Sequence, residues 1–402
     1  MLCAKLDQAV VARFRKLHRG DCFGCVSASG PKLACLASLV RSRFARAGGR
    51  LTAKVMIYGA YGFTGKLLVQ RAVEAGTRPV LCGRSAEKLR RQAQPLGLEY
   101  RIASVEQWGP LARALTGITV LLNAAGPFSQ TASHLLQACL VSGTHYLDVS
   151  GELGAFEDLY RYDHAAKQRG IVVLPGVGFL VMATDCLAAQ LARQLAAPVS
   201  LKIAISRPAF LAPGSRRTMV GLIDDHVRLR RGGVLSNVPV GMLARKFDLG
   251  EGPVSCSAIS GAEALVTFLT TQIPNIEVYA PTTIGERAAY RLGATFASFL
   301  KMPPAQSAMK ALASHWPAGS HRSPRAQAVV AVAEDSSGKT VARRLFTRDP
   351  YETTATMALF AVERVLRGVP QKGFCTPTQI CGPDFLLSMP GMFIEALSRP
   401  AA

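Results

Sequence analysis

The sequence predicts an α/β protein: a Rossmann-type doubly wound parallel sheet with a second, mixed α+β domain. The first observation is that residues 54–71 read as a strand, a glycine turn and a helix in direct succession. The second is the alternation of short apolar runs with helical segments, which is typical of parallel sheets with crossover helices. The third is a pair of runs at 327–332 and 340–346 that read as a β-hairpin, which indicates antiparallel pairing later in the chain.

The charge distribution indicates how the chain is divided. The 402 residues carry a formal net charge of +21, of which residues 1–50, with ten Lys and Arg and two Asp, contribute +8. This basic segment lacks helical periodicity, so we expect an extension, either a targeting leader or the product of an upstream start codon. We expect four parts. Residues 1–51 form a disordered extension, and residues 52–180 a dinucleotide-binding Rossmann domain. Residues 181–348 form a mixed α+β domain for substrate binding or dimerisation, and residues 349–402 a C-terminal helical segment packing back on the core.

The composition argues against several functional classes. The sequence has no nucleic-acid motif and no interleaving of basic and aromatic residues, so its charge favours phosphorylated cofactors or an anionic lipid surface. The ten cysteines are scattered, which predicts reduced thiols, and Cys22 and Cys25 have no second pair at zinc spacing. No apolar run is long enough to span a bilayer. We expect a cytoplasmic protein without a metal, and leave open a peripheral membrane contact and a homodimer.

The glycine turn carries the strongest functional signal. Three glycines follow the apolar strand 55–58 with G-x-x-G-x-x-G spacing. In a dinucleotide-binding turn, the first glycine permits a tight turn, the second lets the backbone approach a pyrophosphate, and the third lets helix and strand pack closely. The helix that follows would direct its free N–H groups at the phosphates. The residues predicted to contact the dinucleotide here are Gly59, Ala60, Gly62, Phe63, Thr64 and Gly65.

The end of the second predicted strand, 79–84, indicates which dinucleotide is bound. A site selective for NAD has Asp or Glu here to bind the ribose 2′-hydroxyl, and residues 77–86 contain no acid. Arg84 and Ser85 occupy the position instead. Because a guanidinium can bind a 2′-phosphate through two hydrogen bonds, these residues predict NADP. The alternative is a solvated arginine at the end of a strand.

Four further strands complete the predicted parallel sheet, at 100–103, 118–123, 144–150 and 171–174. The strand 118–123 delivers the loop N-A-A-G-P-F to the carboxyl edge of the sheet, where cofactors lie in open α/β folds. We expect Ala125, Gly126 and Pro127 in this loop to line the nicotinamide side of the site.

The sequence does not identify a proton donor. None of the nine tyrosines has lysine four residues later, so the Tyr-x-x-x-Lys pair of short-chain reductases is absent. The polar residues expected at the carboxyl edge of the sheet are His145, Tyr146, Asp148, Ser150 and Glu152. Tyr146 and Asp148 are the candidates for the catalytic acid, although Asp148 and Glu152 could equally cap a helix or hold a loop.

The second half of the chain predicts mixed secondary structure. Ser215 is expected to cap a helix that ends at 228–233, and Asp349 to cap a helix with Pro350 at its first position, running to Arg367. Apolar residues at helical spacing would form either a hydrophobic pocket wall or a core; they are Met219, Leu222, Ile223, Leu265, Phe268 and Leu269.

Taken together, these motifs resemble the saccharopine dehydrogenase-like oxidoreductases. The matching segments are G-A-Y-G-F-T-G at 59–65, C-G-R at 82–84, N-A-A-G-P-F at 123–128, Y-L-D-V-S-G-E at 146–152 and P-G-V-G-F at 175–179. The resemblance is strongest to the short branch that contains the bacterial trans-acting enoyl reductases. It departs at residues 181–185, where the family usually has Ser or Pro before the aspartate.

Two functional classes are compatible with these motifs. The resemblance implies an NADP-dependent oxidoreductase that reduces a C=C or C=N bond of a hydrophobic small molecule, similar to a lipid or a polyketide. The alternative is a non-catalytic NADP-binding sensor or interaction protein, which would keep the glycine turn without turnover.

Overall fold

The protein is described by a computed structural model over residues 54–207, 226–295 and 327–397. Several sequence predictions lie outside the described residues: the extension over 1–51, Cys22 and Cys25, the Ser215 cap, and the apolar residues Met219, Leu222 and Ile223.

Sixteen strands are present in the described residues. They are β1 (Lys54–Tyr58), β2 (Val80–Gly83), β3 (Tyr100–Ile102), β4 (Ile118–Asn123), β5 (His145–Asp148), β6 (Val172–Leu174), β7 (Pro198–Ile205), β8 (His226–Arg231), β9 (Val234–Pro239), β10 (Ala244–Asp248), β11 (Pro253–Ile259), β12 (Asn275–Pro281), β13 (Gln327–Asp335), β14 (Thr340–Thr347), β15 (Gly373–Phe374) and β16 (Met392–Ala396).

The α-helices of the same residues cover the sheets. They are α1 (Phe63–Glu74), α2 (Ala86–Ala93), α3 (Trp108–Ala114), α4 (Phe128–Ser142), α5 (Leu153–Tyr160), α6 (Asp163–Arg169), α7 (Phe179–Ala192), α8 (Glu263–Thr271), α9 (Ile284–Thr295), α10 (Pro350–Leu366) and α11 (Pro377–Cys381). Among the described helices, none is both long and apolar enough to cross a membrane.

The first sheet is the predicted doubly wound parallel sheet. Its strand order is β3-β2-β1-β4-β5-β6-β15, and every pairing in it is parallel. The order reverses direction between β1 and β4, and ligands of such sheets bind in the crevice at this switch point. The fold therefore brings the glycine turn after β1 beside the loop after β4.

The C-terminal segment completes this first sheet. The sequence predicts six strands in the domain, whereas β15 adds a seventh beside β6. Helix α10 covers β4 and β5 and packs between α1 and α7. Its N-terminus confirms the predicted cap, because the Asp349 carboxylate accepts the N–H groups of Tyr351 and Glu352, with Pro350 at the first helical position.

The second sheet is mixed. Its order is β10-β11-β12-β7-β13-β14-β16, with β7 and β12 parallel and the other neighbouring pairs antiparallel. The predicted hairpin over 327–346 is confirmed as β13 and β14. Strands β8 and β9 form a further hairpin that pairs with β12.

One prediction for this region is wrong: the segment that ends at 228–233 is a strand rather than the end of a helix. In β8, Val227 and Leu229 alternate inward with Arg228, which has the period of a strand. Gly232 and Gly233 both have positive φ and form the two-residue turn to β9, where glycine is favoured. The prediction was wrong because basic residues followed by glycine are also typical of the end of a helix.

Helix α7 lies between the two sheets and is buried almost all round. Most of its apolar residues belong to one core that includes β1 and β4 of the first sheet and β7 and β13 of the second. The helix also carries Asp185, which is fully buried. One carboxylate oxygen, Oδ2, accepts the N–H of Thr378 at 2.8 Å and so ties α11 to α7.

Asp185 should make stability depend on pH. Burial raises its pKa from the ordinary 3.8 to about 6, so the folded chain holds this proton more tightly than the unfolded chain. This contribution to stability is complete below about pH 4 and is lost as pH rises through 6, a change of about 2–3 kcal/mol in the free energy of unfolding. Asp185→Asn should remove that part of the slope in denaturant unfolding between pH 4 and 7. Identical slopes for the two proteins would contradict the assignment.

Candidate dinucleotide-binding site

The glycine turn has the geometry that close backbone approach requires. Gly59 has φ +78, and its N–H donates to the Cys82 carbonyl at 2.8 Å. A Cβ on Gly59 would lie 2.8 Å from the Ala125 side chain, and one on Gly65 would lie 2.2 Å from the Gly59 carbonyl oxygen. Both distances are too short for any side chain, so the turn holds β1, α1 and the loop after β4 in direct contact.

The start of α1 is suited to a phosphate group. Gly62 is its N-cap, no side chain caps it, and its first turn contains no acidic residue. The residues of this first turn, from Phe63 to Gly65, therefore present backbone N–H groups and the positive end of the helix dipole. The predicted residues Phe63 and Thr64 lie within this first turn, and Ala60 lies in the glycine turn that precedes it. These residues fit the pyrophosphate of a dinucleotide.

The end of β2 is the predicted adenosine side of the site. Arg84 is exposed, as a group that meets a ligand phosphate should be. The Ser85 hydroxyl accepts the N–H of Lys88 at 3.4 Å and so caps α2. Two further residues lie here, neither of them predicted from the sequence: the Tyr61 ring packs on Gly83, and the Lys88 ammonium lies 5.7 Å from the centre of that ring. An aromatic ring with a cation beside it suits an adenosine phosphate.

The loop after β4 is held from below by a buried hydrogen-bond network. The Asn123 side chain accepts the Ala125 N–H at 2.9 Å and donates to the Tyr146 hydroxyl and to Thr131, both at 3.2 Å. The Thr131 hydroxyl in turn donates to the Ala125 carbonyl at 2.7 Å. Ala125, and the Gly126 and Pro127 that follow it, are thereby fixed beside the glycine turn.

Asp148 extends this network to two more loops. Its carboxylate accepts the Tyr146 hydroxyl at 2.8 Å and the N–H groups of Ser150 and Gly176 at 2.9 and 3.0 Å. Burial raises its pKa to about 6, and the three donors hold it ionised at neutral pH. Burial also raises the pKa of Tyr146 well above its ordinary value. Tyr146 and Asp148 are both fully buried, so the structure places these two catalytic candidates beneath the loops.

The other polar candidates after β5 also make structural contacts. Glu152 accepts the N–H groups of Phe128 and Ser129, each at 2.9 Å, and so caps α4. The Ser150 hydroxyl accepts the Glu152 N–H at 3.1 Å. His145 lies at the amino end of β5 and accepts the Val172 N–H at 3.1 Å, so its predicted place at the carboxyl edge is wrong. Among the described residues, no group of three or more His, Cys, Asp and Glu side chains could hold a metal ion.

Removing the Tyr146 hydroxyl should loosen the loops. Tyr146→Phe leaves one oxygen of the buried Asp148 without its donor, which should lower the free energy of unfolding by about 1–3 kcal/mol and weaken dinucleotide binding. Tyr279→Phe is the matched control, since its buried hydroxyl bonds to Glu277 and Arg245 in the second sheet. The control should lose stability and keep dinucleotide affinity in a fluorescence titration. Equal affinity losses in both variants would contradict a local role for the network.

Comparison with known proteins supports this description of the first sheet. Residues 55–174 match the family model described as the saccharopine dehydrogenase NADP binding domain. The chain is 30% identical over 148 residues to a trans-acting enoyl reductase of Mycobacterium tuberculosis, which covers 35% of each chain. It is 28% identical over 145 residues to a saccharopine dehydrogenase-like oxidoreductase of Bos taurus, covering 31% of this chain and 34% of that one. The matches thus span about a third of the length of these relatives.

The fold as a whole has a counterpart among solved structures. The apo saccharopine dehydrogenase (L-Glu forming) of Saccharomyces cerevisiae superposes with a TM-score of 0.58 at 13% identity, over 86% of this chain and 100% of that chain. At this identity the likeness concerns the fold alone. Over residues 55–174 the sequence therefore matches the saccharopine dehydrogenase NADP binding domain, and the parallel sheet formed by these residues is compatible with that match.

Proposed function

We propose that the protein is an NADP-dependent oxidoreductase that reduces a C=C or C=N bond of a hydrophobic small molecule. The observation that carries the proposal is the pairing of an uncapped, acid-free helix start at Gly62 with an exposed Arg84 at the end of β2. This pairing provides for both the pyrophosphate and the 2′-phosphate. The name of the mycobacterial relatives, trans-acting enoyl reductase, supports reduction of a C=C bond.

NADPH supplies the hydride when it is bound, so this chain's residues need only hold it, orient it and exclude water. The residues that would hold it are those of the glycine turn, Arg84, and the loop from Ala125 to Pro127. The hydrogen bonds of Asn123 and Glu152 hold this loop and the start of α4 that follows it. A loop fixed in this way before binding orients a dinucleotide without further ordering.

Three arginines of the second sheet do not favour saccharopine as the substrate. A pocket for its three carboxylates should present several arginines on fixed elements. Arg228 is paired with Glu157 at 2.6 Å, Arg230 is buried against the Phe268 ring at 3.9 Å, and Arg245 bonds to Tyr279 at 3.1 Å. Each of these side chains serves a contact within the fold. A hydrophobic substrate therefore fits better than a polyanionic one.

The alternative function is a non-catalytic NADP-binding sensor, and one observation favours it. Tyr146, Asp148 and Glu152 all make structural hydrogen bonds at the end of β5. An oxidoreductase would then take its proton from another residue or from solvent. Substrate-dependent NADPH oxidation separates the two functions. Contact with a membrane surface and formation of a homodimer stay predictions from composition.

Cofactor selection by Arg84 can be tested directly. Arg84→Glu should weaken NADPH binding by about 2 kcal/mol, through loss of a charge-assisted hydrogen bond and added repulsion, while NADH binding changes little. The control is Arg90→Glu, which makes the same charge change at an exposed position farther along α2. Calorimetric titration of both cofactors measures the effect. A wild-type protein that binds NADH as tightly as NADPH would rule out this selection.

A substrate panel tests the reaction class. We expect NADPH oxidation with at least one hydrophobic unsaturated ketone, ester or imine, and no NADP reduction with saccharopine. Absorbance at the nicotinamide band, with product identified by mass spectrometry, provides the measurement. Turnover of saccharopine with no activity on the hydrophobic set would overturn the substrate assignment, and NADPH binding without any turnover would favour the sensor.

A further inference from the structure

We propose that Tyr351, in the first turn of α10, belongs to the dinucleotide site and contacts the nicotinamide half of the cofactor. The proposal rests on NADP binding at the glycine turn. It extends the site to a residue of the C-terminal segment, far from residues 55–174 in sequence.

The position of α10 places its first turn at the correct edge of the sheet. Helix α10 covers β4 and β5 between α1 and α7, which both begin at the carboxyl edge. The first two turns of α10 contact the first residues of both helices, Phe63 and Phe179. Its start therefore lies at the crevice where dinucleotides bind in doubly wound sheets.

Tyr351 lies directly against the glycine turn. Its ring packs edge-on against the ring of Phe63, with 5.0 Å between the ring centres. Phe63 is the first residue of α1, so its backbone belongs to the part of the turn that faces the pyrophosphate. Both side chains are only partly buried, which leaves part of each surface open to a ligand.

The next turn of α10 reaches the last loops of the sheet. The Thr354 hydroxyl accepts the Phe179 N–H at 3.0 Å. A Cβ on Gly178 would lie 3.3 Å from Thr354 and 3.5 Å from Val149, just after β5. Since Arg84 places the adenosine at β2, a dinucleotide that crosses the switch point extends its nicotinamide toward β4 and β5. Tyr351 lies on this nicotinamide side.

The first turn of α10 is fixed in place before any cofactor binds. Asp349 caps it through the N–H groups of Tyr351 and Glu352, at 2.9 and 3.1 Å. The Glu352 carboxylate accepts two hydrogen bonds from Arg71 of α1, at 2.6 and 2.9 Å. A preorganised aromatic ring loses little freedom on contact with a ribose or a nicotinamide ring, so its contact contributes efficiently to affinity.

Two probes separate the halves of the cofactor: NADPH, and 2′,5′-ADP, which has the adenosine and the 2′-phosphate but no nicotinamide. Tyr351→Ala should weaken NADPH binding roughly tenfold through loss of ring contact and leave 2′,5′-ADP binding unchanged. Arg84→Glu should weaken both. Tyr351→Phe should keep NADPH affinity near that of the wild type because the ring remains. Thr356→Val, one turn farther along α10, is the control and should bind both probes like the wild type.

These experiments distinguish failure of the role proposed for Tyr351 from failure of the proposed function. If the wild type does not bind NADPH, the proposed function fails. If the wild type binds NADPH and Tyr351→Ala binds it equally well, or loses both probes equally, the role of Tyr351 alone is contradicted. Melting temperatures of the free proteins identify any folding defect, and if Tyr351→Ala does not fold, Tyr351→Leu replaces it with the same expected loss for NADPH alone.

Discussion

The close packing of α1 against the turn that precedes it is the constraint on which the site depends. A side chain at Gly65 would meet the carbonyl oxygens of Gly59 and Ala60, so only glycine lets the helix begin this near to β1. The same turn lies against Ala125 through Gly59. Because both contacts involve backbone atoms, the position of α1 fixes the position of the loop after β4, and an uncapped helix start faces the crevice between them.

The surrounding structure fixes α1 and the loop after β4 from two sides. Beneath the loops, Asp148 and Tyr146 link the ends of β4, β5 and β6 by buried hydrogen bonds, and leaving any member unpaired would be costly. On the other side, helix α10 packs against α1 and bonds to it through Glu352 and Arg71. The glycine turn is therefore supported by segments that lie far apart in the sequence, although its own motif is local.

The features that could be predicted from the sequence are those whose cause is local. The glycine spacing, the Arg84 position and the Asp349 cap each depend on a few consecutive residues, so their patterns are visible in the sequence.

Features that depend on contacts between residues distant in the sequence could not be predicted. Strand β15 is only two residues long, and Tyr351 contacts Phe63 through the fold alone. Burial of Arg230 in a strand depends on the Phe268 ring beneath it, which no local pattern reveals. The polar residues after β5 show the same limit, because the groups that Tyr146 and Glu152 bond to depend on the strand order and on the start of α4.

A crystal structure of the protein with bound NADPH would show whether the glycine turn and Arg84 hold the cofactor together. We expect the pyrophosphate at the start of α1, the 2′-phosphate within hydrogen-bond distance of the Arg84 guanidinium, and the nicotinamide beside the loop from Ala125 to Pro127. A 2′-phosphate directed away from Arg84, or a cofactor bound outside the crevice between the glycine turn and that loop, would contradict the assignment of this site.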